Sequence, residues 1–406
     1  MKRRRLVVVT MAATWPPRRG NQIRTTELLS HLGEHWDVDS YSLTFQRTDL
    51  PLPRRTHRAG PRWVDHRTRD PIATAWMIGL GRLGKPPIHI EKLLPAWPHG
   101  EIRRALKSAD VVWVAPPYHF DWVRRETPKD TPVVFDEHSI EADLYAATDS
   151  GFGRAIAREV EREERQALSA ADLVFVTSPD DIEPSRAWGA RRVELVPNGV
   201  DVERFRPVPD ERKRELRRSL GLPIDEHVGV FVGSGHPPNV EAVEELEREA
   251  AVYRAGHVRV VVVGRCGLGR KRVDGVIHTG EVPDVAPYLQ AADMALCPLR
   301  SGSGTSLKTV EYLASGLPLV SSEVGVRGLR LDPGVDVEIA PLGSFASSAV
   351  AIAGDPARRE QLAAAARAAV AERYSWAAVG RTATAALDAL VDGTPLPSEQ
   401  SGEGAR

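Results

Sequence analysis

Short apolar runs rich in valine recur along the chain and alternate with longer amphipathic stretches. In the first half such runs predict β-strands at residues 6–10, 38–43, 111–115, 132–136 and 173–177. In the second half the same plan returns at residues 228–233, 258–264, 276–280, 294–299 and 317–322. Strands that are apolar throughout and separated by helices are typical of parallel sheets covered on both faces. The pattern predicts an α/β protein with two Rossmann-like domains.

A change of pattern marks the boundary between the two halves. Near residue 206 the apolar rhythm gives way to prolines and a charged helix. We therefore expect an N-terminal domain at residues 1–205 and a C-terminal domain at residues 206–373. An amphipathic helix is predicted over residues 374–391, and the polar stretch 392–406 is expected to be disordered.

Composition and charge narrow the class of protein. The 406 residues carry 54 basic and 55 acidic side chains, so the net charge of −1 gives no electrostatic reason to expect nucleic-acid binding. The two cysteines, Cys266 and Cys297, lie in separate apolar runs, which favours free thiols in a reducing compartment. No run reaches the roughly 20 apolar residues of a spanning helix. We expect a cytoplasmic bacterial protein, with peripheral contact at the inner face of the membrane as an alternative.

Arginine and histidine residues crowd the segment at residues 54–69. A charge run of this kind is usually a solvated loop, and that is our interpretation. The alternative is a surface for an anionic acceptor or an anionic lipid.

The pair Asp37 and Asp39 lies at positions i and i+2 of a predicted strand, where two carboxylates project from one face. A metal site needs further ligands, and no third ligand lies nearby in the sequence. No cysteine or histidine group has the spacing of metal ligands either. We expect no metal site.

The segment with the clearest chemistry is SGSGTSLKTVEYLASGLPLV, at residues 301–320. Its glycines precede a helix that is expected to begin near Thr305, so the first N–H groups of the helix point outward without partners. Such a helix end attracts phosphate. Lys308 and Glu311 lie three residues apart on one face, which sets a cation for a diphosphate beside a carboxylate for sugar or ribose hydroxyls. A glycine-containing turn can also be purely structural.

Several motifs occur in an order and spacing that resembles the retaining GT-B glycosyltransferases of family four. They are VPNGVDVERFRP (196–207), FVGSGHPPNVEAV (231–243), VVVGR (261–265), TGEVPDVAPYLQAADMALCPL (279–299) and the glycine-containing segment above. The resemblance implies the GT-B fold, with two parallel sheets that face each other across a cleft. It also implies that the C-terminal domain holds a nucleotide-sugar as co-substrate, that the N-terminal domain is the acceptor side, and that no further cofactor is needed.

The resemblance implies roles for particular residues of the C-terminal domain. Glu311 matches the glutamate that grips the ribose, the backbone from Gly304 to Leu307 meets the diphosphate, and the turn from Gly280 to Pro283, which includes Val282, lies against the base. The donor-binding residues expected in this domain are Gly233, Ser234, Arg265, Val282, Ser303, Gly304, Thr305, Ser306 and Leu307.

The chain departs from the family pattern at two places. Ser303 stands where many members have a second glutamate, and Ser234 and His236 stand where they commonly have arginine and lysine. The sugar contact of the missing glutamate is therefore in doubt. Lys308, and after it Arg265, are the cations expected to meet the diphosphate.

In the N-terminal domain the resemblance points to a turn and a histidine. Gly20 and Asn21 match the glycine-rich turn that faces the cleft, and Arg24 follows one helical turn later. His138 follows a predicted strand, at the edge where parallel sheets bind ligands, and matches a histidine that contacts the donor sugar. His119 is a weaker candidate. A structural role remains the alternative for all of these residues.

The expected function is transfer of a sugar from a nucleotide-sugar to an acceptor, with retention of configuration and without a metal. His138, Lys308 and Glu311 are the expected catalytic residues. The acceptor classes compatible with the sequence are a small metabolite, a lipid-linked glycan and a polysaccharide. Two alternatives stay open, namely a non-catalytic sugar-nucleotide-binding partner subunit and a GT-B nucleotide-sugar epimerase.

Overall fold

The computed structural model describes residues 3–17, 20–43, 56–68, 70–83, 85–86, 88–138, 140, 142, 151–302 and 305–400. The chain divides into two compact units. One unit comprises Met1–Pro197 with Trp376–Arg406, and the other comprises Asn198–Ser375. The boundary after Pro197 therefore lies before the boundary expected near residue 206.

The first unit is built on an eight-stranded sheet with the order β3-β4-β2-β1-β5-β6-β7-β8. Its strands are β1 (Arg5–Thr10), β2 (Asp37–Ser42), β3 (Thr56–Arg58), β4 (Trp63–Arg67), β5 (Val111–Ala115), β6 (Val133–Glu137), β7 (Leu173–Val176) and β8 (Val193–Leu195). Only the pair of β3 and β4 is antiparallel among these neighbours. The central strands are buried along nearly their whole length, as their apolar composition predicts.

The helices of the first unit pack on this sheet. They are α1 (Gly20–His35), α2 (Pro71–Arg82), α3 (Gly100–Leu106), α4 (Phe120–Glu126), α5 (Gly151–Ala170) and α6 (Ile182–Ala187). The terminal helices α14 (Trp376–Asp392) and α15 (Pro397–Gln400) also belong to this unit. Helix α14 packs closely on α1, because a Cβ atom at Gly380 would lie only 2.6 Å from the Cβ of His31.

The second unit is built on a six-stranded, fully parallel sheet with the order β11-β10-β9-β12-β13-β14. Its strands are β9 (His227–Val232), β10 (Val258–Val263), β11 (Val276–Gly280), β12 (Met294–Cys297), β13 (Leu319–Ser321) and β14 (Glu338–Ile339). Its helices are α7 (Asp210–Leu220), α8 (Pro237–Arg248), α9 (Ala250–Ala255), α10 (Ala286–Ala291), α11 (Leu307–Ala314), α12 (Phe345–Gly354) and α13 (Pro356–Arg373). Both cysteines are buried free thiols in this unit.

The segment at residues 54–69 is not the solvated loop that its charge predicts. It forms β3 and β4, and Trp63, Asp65 and Arg67 are all buried. Asp65 accepts hydrogen bonds from the hydroxyl groups of Thr14 and Ser40 at 2.8 Å and is paired with Arg67. The prediction was wrong because alternate residues of β4 face the interior, where Asp65 and Arg67 pair with each other and Asp65 also accepts from hydroxyl groups far away in the sequence.

The polar C-terminal stretch is also more ordered than its composition predicts. Leu396 is fully buried, and both the backbone N–H and the hydroxyl of Ser398 donate to the carboxylate of Glu194. The expectation of disorder was therefore wrong for residues 392–400, while residues 401–406 lie outside the described part of the chain. Within the described ranges, no helix combines the length and the apolar character that crossing a bilayer requires.

Candidate functional site

The start of helix α11 lies at the carboxyl edge of the second unit's sheet, where such folds bind ligands. The helix begins at Leu307 with Ser306 as its N-cap, slightly later than the predicted start near Thr305. The Ser306 side chain accepts no capping hydrogen bond from the backbone N–H groups of the described first turn. The Asn198 side-chain amide donates to the carbonyl and the hydroxyl of Thr305 at 3.0 Å, which anchors the backbone before the helix. Ser303 and Gly304 lie outside the described residues.

Lys308 lies half-buried in the first turn of α11. Its ammonium group donates to the side-chain oxygen of Asn239 and lies 4.8 Å from the ring centroid of Phe231. Burial lowers the pKa of Lys308. The Asn239 amide in turn donates to the carbonyl and the hydroxyl of Ser234, at 3.3 and 3.2 Å. The structure thus brings Lys308 and Ser234 together through Asn239, which the sequence did not single out.

Glu311 lies one helical turn after Lys308 and is also half-buried. Burial raises the pKa of Glu311 to about 7, although the positive charges of Arg204 and Lys308 oppose the change. Its carboxyl group accepts no hydrogen bond from any residue that the structure describes. A carboxylate that is desolvated and lacks donors can gain from the hydroxyl groups of a ligand.

Two glycines allow the turns after β9 and β10 to pack against each other. A Cβ atom at Gly233 would lie 2.9 Å from the Cys266 sulfur, and one at Gly264 would lie 2.4 Å from the Gly233 carbonyl oxygen. Gly264 has a φ of 106°, which favours glycine. Arg265 follows directly and is exposed, and its guanidinium group has no hydrogen bond or ion pair with the described part of the chain. It is an available cation on this edge of the sheet.

The turn after β11 lies near Glu311. Gly280 ends the strand with a φ of 69°, and Val282 is half-buried against the core of the unit. Asp284 in this turn pairs with Arg204 at 2.8 Å, and both charges act on Glu311. The predicted residues of the second unit that the structure describes are thus gathered along one edge of one sheet.

In the first unit, Gly20 and Asn21 form the exposed start of helix α1. The Asn21 side-chain oxygen accepts from the backbone N–H of Gln22 at 2.9 Å. Arg24, one turn later, is buried and does not face solvent as a free cation. Its guanidinium pairs with Asp136 at 2.8 Å.

His138 lies just after the end of β6 and keeps 22% of its side-chain exposure. Its Nε2 atom lies 2.9 Å from Oδ2 of Asp136. Sequence reasoning did not identify Asp136 or its pairing with Arg24. The available signal was a pair of acidic residues, Asp136 and Glu137, at the end of strand β6, because a buried carboxylate needs a partner.

His119 belongs to the core of the first unit. It is fully buried, and its Nε2 atom lies 3.0 Å from the carbonyl oxygen of Val9. Burial lowers the pKa of His119 to about 4, so the ring is neutral at physiological pH. The surroundings of His119 therefore favour a structural role for this weaker candidate.

Among the described residues one group has the geometry of a metal site, namely His89, Glu91 and Glu163, whose ligand atoms lie within 4.8 Å of one another. Burial raises the pKa of Glu163 to about 8, so its carboxyl group is protonated at neutral pH. The ammonium group of Lys92 lies 3.3 Å from Nδ1 of His89. Both features disfavour a cation there. At the pair considered in the sequence, Asp39 is occupied by Arg5 and His66.

Two models of known protein families together match most of the chain. Residues 22–204 match the family described as Glycosyltransferase Family 4, and residues 226–355 match the family described as Glycosyl transferases group 1.

Two relatives carry the name D-inositol 3-phosphate glycosyltransferase. The protein of Xylanimonas cellulosilytica is 31% identical over 300 residues, which are 65% of this chain and 67% of that protein. The protein of Mycobacterium tuberculosis is 32% identical over 214 residues, which are 48% of this chain and 42% of that protein. The chain thus spans less than half the length of the Mycobacterium relative.

Solved structures share the fold. Sucrose-phosphate synthase of Thermosynechococcus elongatus superposes with a TM-score of 0.77 at 20% identity, covering 97% of this chain and 100% of that chain. Anabaena HepE in complex with UDP-glucose superposes with a TM-score of 0.67 at 14% identity, covering 96% of this chain and 99% of that chain. Together with the two parallel-sheet α/β units, these neighbours confirm the predicted GT-B fold class.

Proposed function

Because this chain belongs to glycosyltransferase family 4, we propose that it transfers a sugar from a nucleotide-sugar to an acceptor hydroxyl with retention of configuration. The observation that carries the donor assignment is the cluster on the carboxyl edge of the second unit's sheet. There, an uncapped helix start and Lys308 lie one turn from a carboxyl group, that of Glu311, which has no donor in the described structure.

The diphosphate, the ribose and the base of a nucleotide-sugar each have a matching group in this cluster. The diphosphate lies on the N–H groups at the start of α11, where the helix dipole favours negative charge. An ammonium group has three hydrogens, so Lys308 can bind Asn239 and still donate to phosphate oxygens. The ribose hydroxyls donate to Glu311, and the base lies against the turn around Val282.

Catalysis follows from the same charges. As the bond from the sugar to the diphosphate breaks, negative charge grows on the leaving oxygen. Lys308, Arg265 and the helix N–H groups lie on the same edge of the sheet and stabilise that charge. The leaving phosphate then accepts the proton of the acceptor hydroxyl. These cations supply the charge that a metal ion would otherwise bring, so we propose that transfer is metal-independent.

The comparisons suggest which substrates to try first. Anabaena HepE is solved with UDP-glucose, so UDP-sugars are the first donors to test. The relatives are D-inositol 3-phosphate glycosyltransferases, so inositol phosphates are the first acceptors to test.

The experiment is a thermal-shift panel of UDP-, GDP-, dTDP- and ADP-sugars in the presence of EDTA. A ligand that binds only the folded protein raises its melting temperature. We expect one nucleotide series to raise it, and Glu311→Ala to abolish that shift while Glu360→Ala, an exposed change on α13, leaves it intact. No shift with any donor would refute the donor site. A donor that binds but is never transferred to any acceptor would indicate the non-catalytic subunit.

A further inference from the structure

Asp136 is a fully buried carboxylate whose two oxygens serve different partners. Nη2 of Arg24 donates to Oδ1 at 2.8 Å, and Nε of Arg24 lies 3.3 Å from both oxygens. Nε2 of His138 lies 2.9 Å from Oδ2. Arg24 is itself held by a third contact, from Nη1 to the carbonyl oxygen of Pro197 at 2.9 Å. The carboxylate is therefore fixed in orientation from two sides.

The charge state of Asp136 determines which atom of His138 carries hydrogen. Burial opposes ionisation of Asp136, but the charge of Arg24 and the hydrogen bonds from Arg24 and His138 outweigh it and hold the pKa of that carboxyl well below its usual range. An ionised carboxylate only accepts hydrogen bonds. Nε2 of His138 must therefore donate. In the neutral ring Nδ1 is then the acceptor, and Nδ1 has no hydrogen-bond partner within the described chain.

We propose that Arg24 and Asp136 are positioning residues that fix the Nε2–H tautomer of His138, so that Nδ1 is held as the hydrogen-bond acceptor for a hydroxyl group of a substrate. This inference rests on the proposed function for its ligand, while the tautomer itself does not. The partial exposure of His138 leaves the ring within reach of a ligand. A substrate that lacks the hydroxyl group bound by Nδ1 would react more slowly.

The change Asp136→Asn keeps the shape of side chain 136 but changes the tautomer expected for His138. Arg24 can only donate, so the amide oxygen of the new side chain must face Arg24. The amide NH2 then faces His138, and Nε2 has to accept instead of donate. The hydrogen moves to Nδ1, which turns the acceptor for the substrate hydroxyl group into a donor. The same exchange of tautomer is what makes an aspartate-to-asparagine change costly in hydrolase triads.

Nitrogen-15 NMR of the histidine side chains tests the tautomer without any substrate. Spectra are recorded at pH 8.5, above the range in which histidine side chains ordinarily titrate, and His138→Asn assigns the signal. We expect the Nε2–H tautomer in the wild-type protein and the Nδ1–H tautomer in Asp136→Asn. A wild-type protein with Nδ1–H, or with a mixture of tautomers, would overturn the inference whatever the enzyme's activity.

Kinetics with the UDP-sugar selected by the thermal-shift panel test the consequence. We expect Asp136→Asn to lower kcat at least tenfold, to leave UDP affinity within twofold, and to add no further loss to His138→Ala. Glu137→Gln is the matched control, because Glu137 is the next residue of β6 and its carboxylate accepts instead from Ser185 at 2.8 Å. We expect wild-type kcat in this control. Wild-type kcat in a folded Asp136→Asn protein would refute the role of the tautomer, whereas failure of every donor to bind would refute only the proposed function.

Discussion

Replacing Glu311 by glutamine should make the folded protein more stable while it destroys the donor site. Glu311 is desolvated in the folded protein and has no hydrogen-bond donor among the described residues, so its negative charge is unfavourable until a ligand supplies donors. Glutamine keeps the shape of the side chain and removes the charge. Functional groups commonly carry such a cost in stability.

The magnitude follows from the pKa of the carboxyl group. Its ordinary value of 4.5 rises to about 7 in the folded protein, and each pH unit corresponds to 1.36 kcal/mol. The full penalty is therefore about 3 kcal/mol, and roughly 2 kcal/mol once partial exposure is taken into account. Because the folded state holds its proton more tightly than the unfolded state, the penalty is absent below pH 4.5, grows as the pH rises towards 7, and is complete above it.

Thermal unfolding of the wild-type protein and Glu311→Gln at pH 5 and pH 8 measures this difference. For a unit of this size, about 2 kcal/mol corresponds to a rise of roughly 4–8 °C in Tm. We expect that rise at pH 8 and about a quarter of it at pH 5, where the penalty has only begun to grow. The matched control is Glu360→Gln, which lies exposed on α13 and should change Tm at neither pH. A Glu311→Gln protein that is less stable than wild type at pH 8, or equally stabilised at both pH values, would refute the reasoning.

Three further predictions concern single contacts. Lys308→Met should weaken UDP binding at least tenfold in calorimetry, because it removes the cation beside the start of α11 and keeps an unbranched side chain of similar size. Unchanged affinity would exclude Lys308 from the site. Gly264→Ala should destabilise the protein by about 2 kcal/mol or more in urea titrations, because φ is 106° and the new Cβ would lie 2.4 Å from the Gly233 carbonyl oxygen. Gly354→Ala is the control and should not destabilise the protein, because no atom lies within 4 Å of the new Cβ. Leu396→Ala should cost about 2–4 kcal/mol because the side chain is fully buried, and a neutral effect would mean that the C-terminal stretch is not packed on the first unit.

Local patterns were sufficient for most of the architecture. Parallel strands buried on both faces need apolar side chains at every position, so they are visible as continuous apolar runs, and the structure confirms a strand at each predicted run. The strands that the pattern did not predict are short or charged, namely β3, β4, β8 and β14. The spacing of Lys308 and Glu311 on one helix face is likewise a property of a few adjacent residues. The same holds for the glycines that precede the helix.

The sequence by itself thus determined the fold class, the family and the candidate donor helix, because each depends on residues that are close together in the chain. Only the tertiary structure decided which buried charges are paired. Arg24 meets Asp136 across 112 positions of sequence, and Lys308 meets Asn239 across 69. Likewise Leu396 is buried although its neighbours in sequence are polar. Such contacts depend on the order of strands and helices in space, and a charge that is costly to bury alone becomes tolerable only when the fold brings its partner within hydrogen-bond distance.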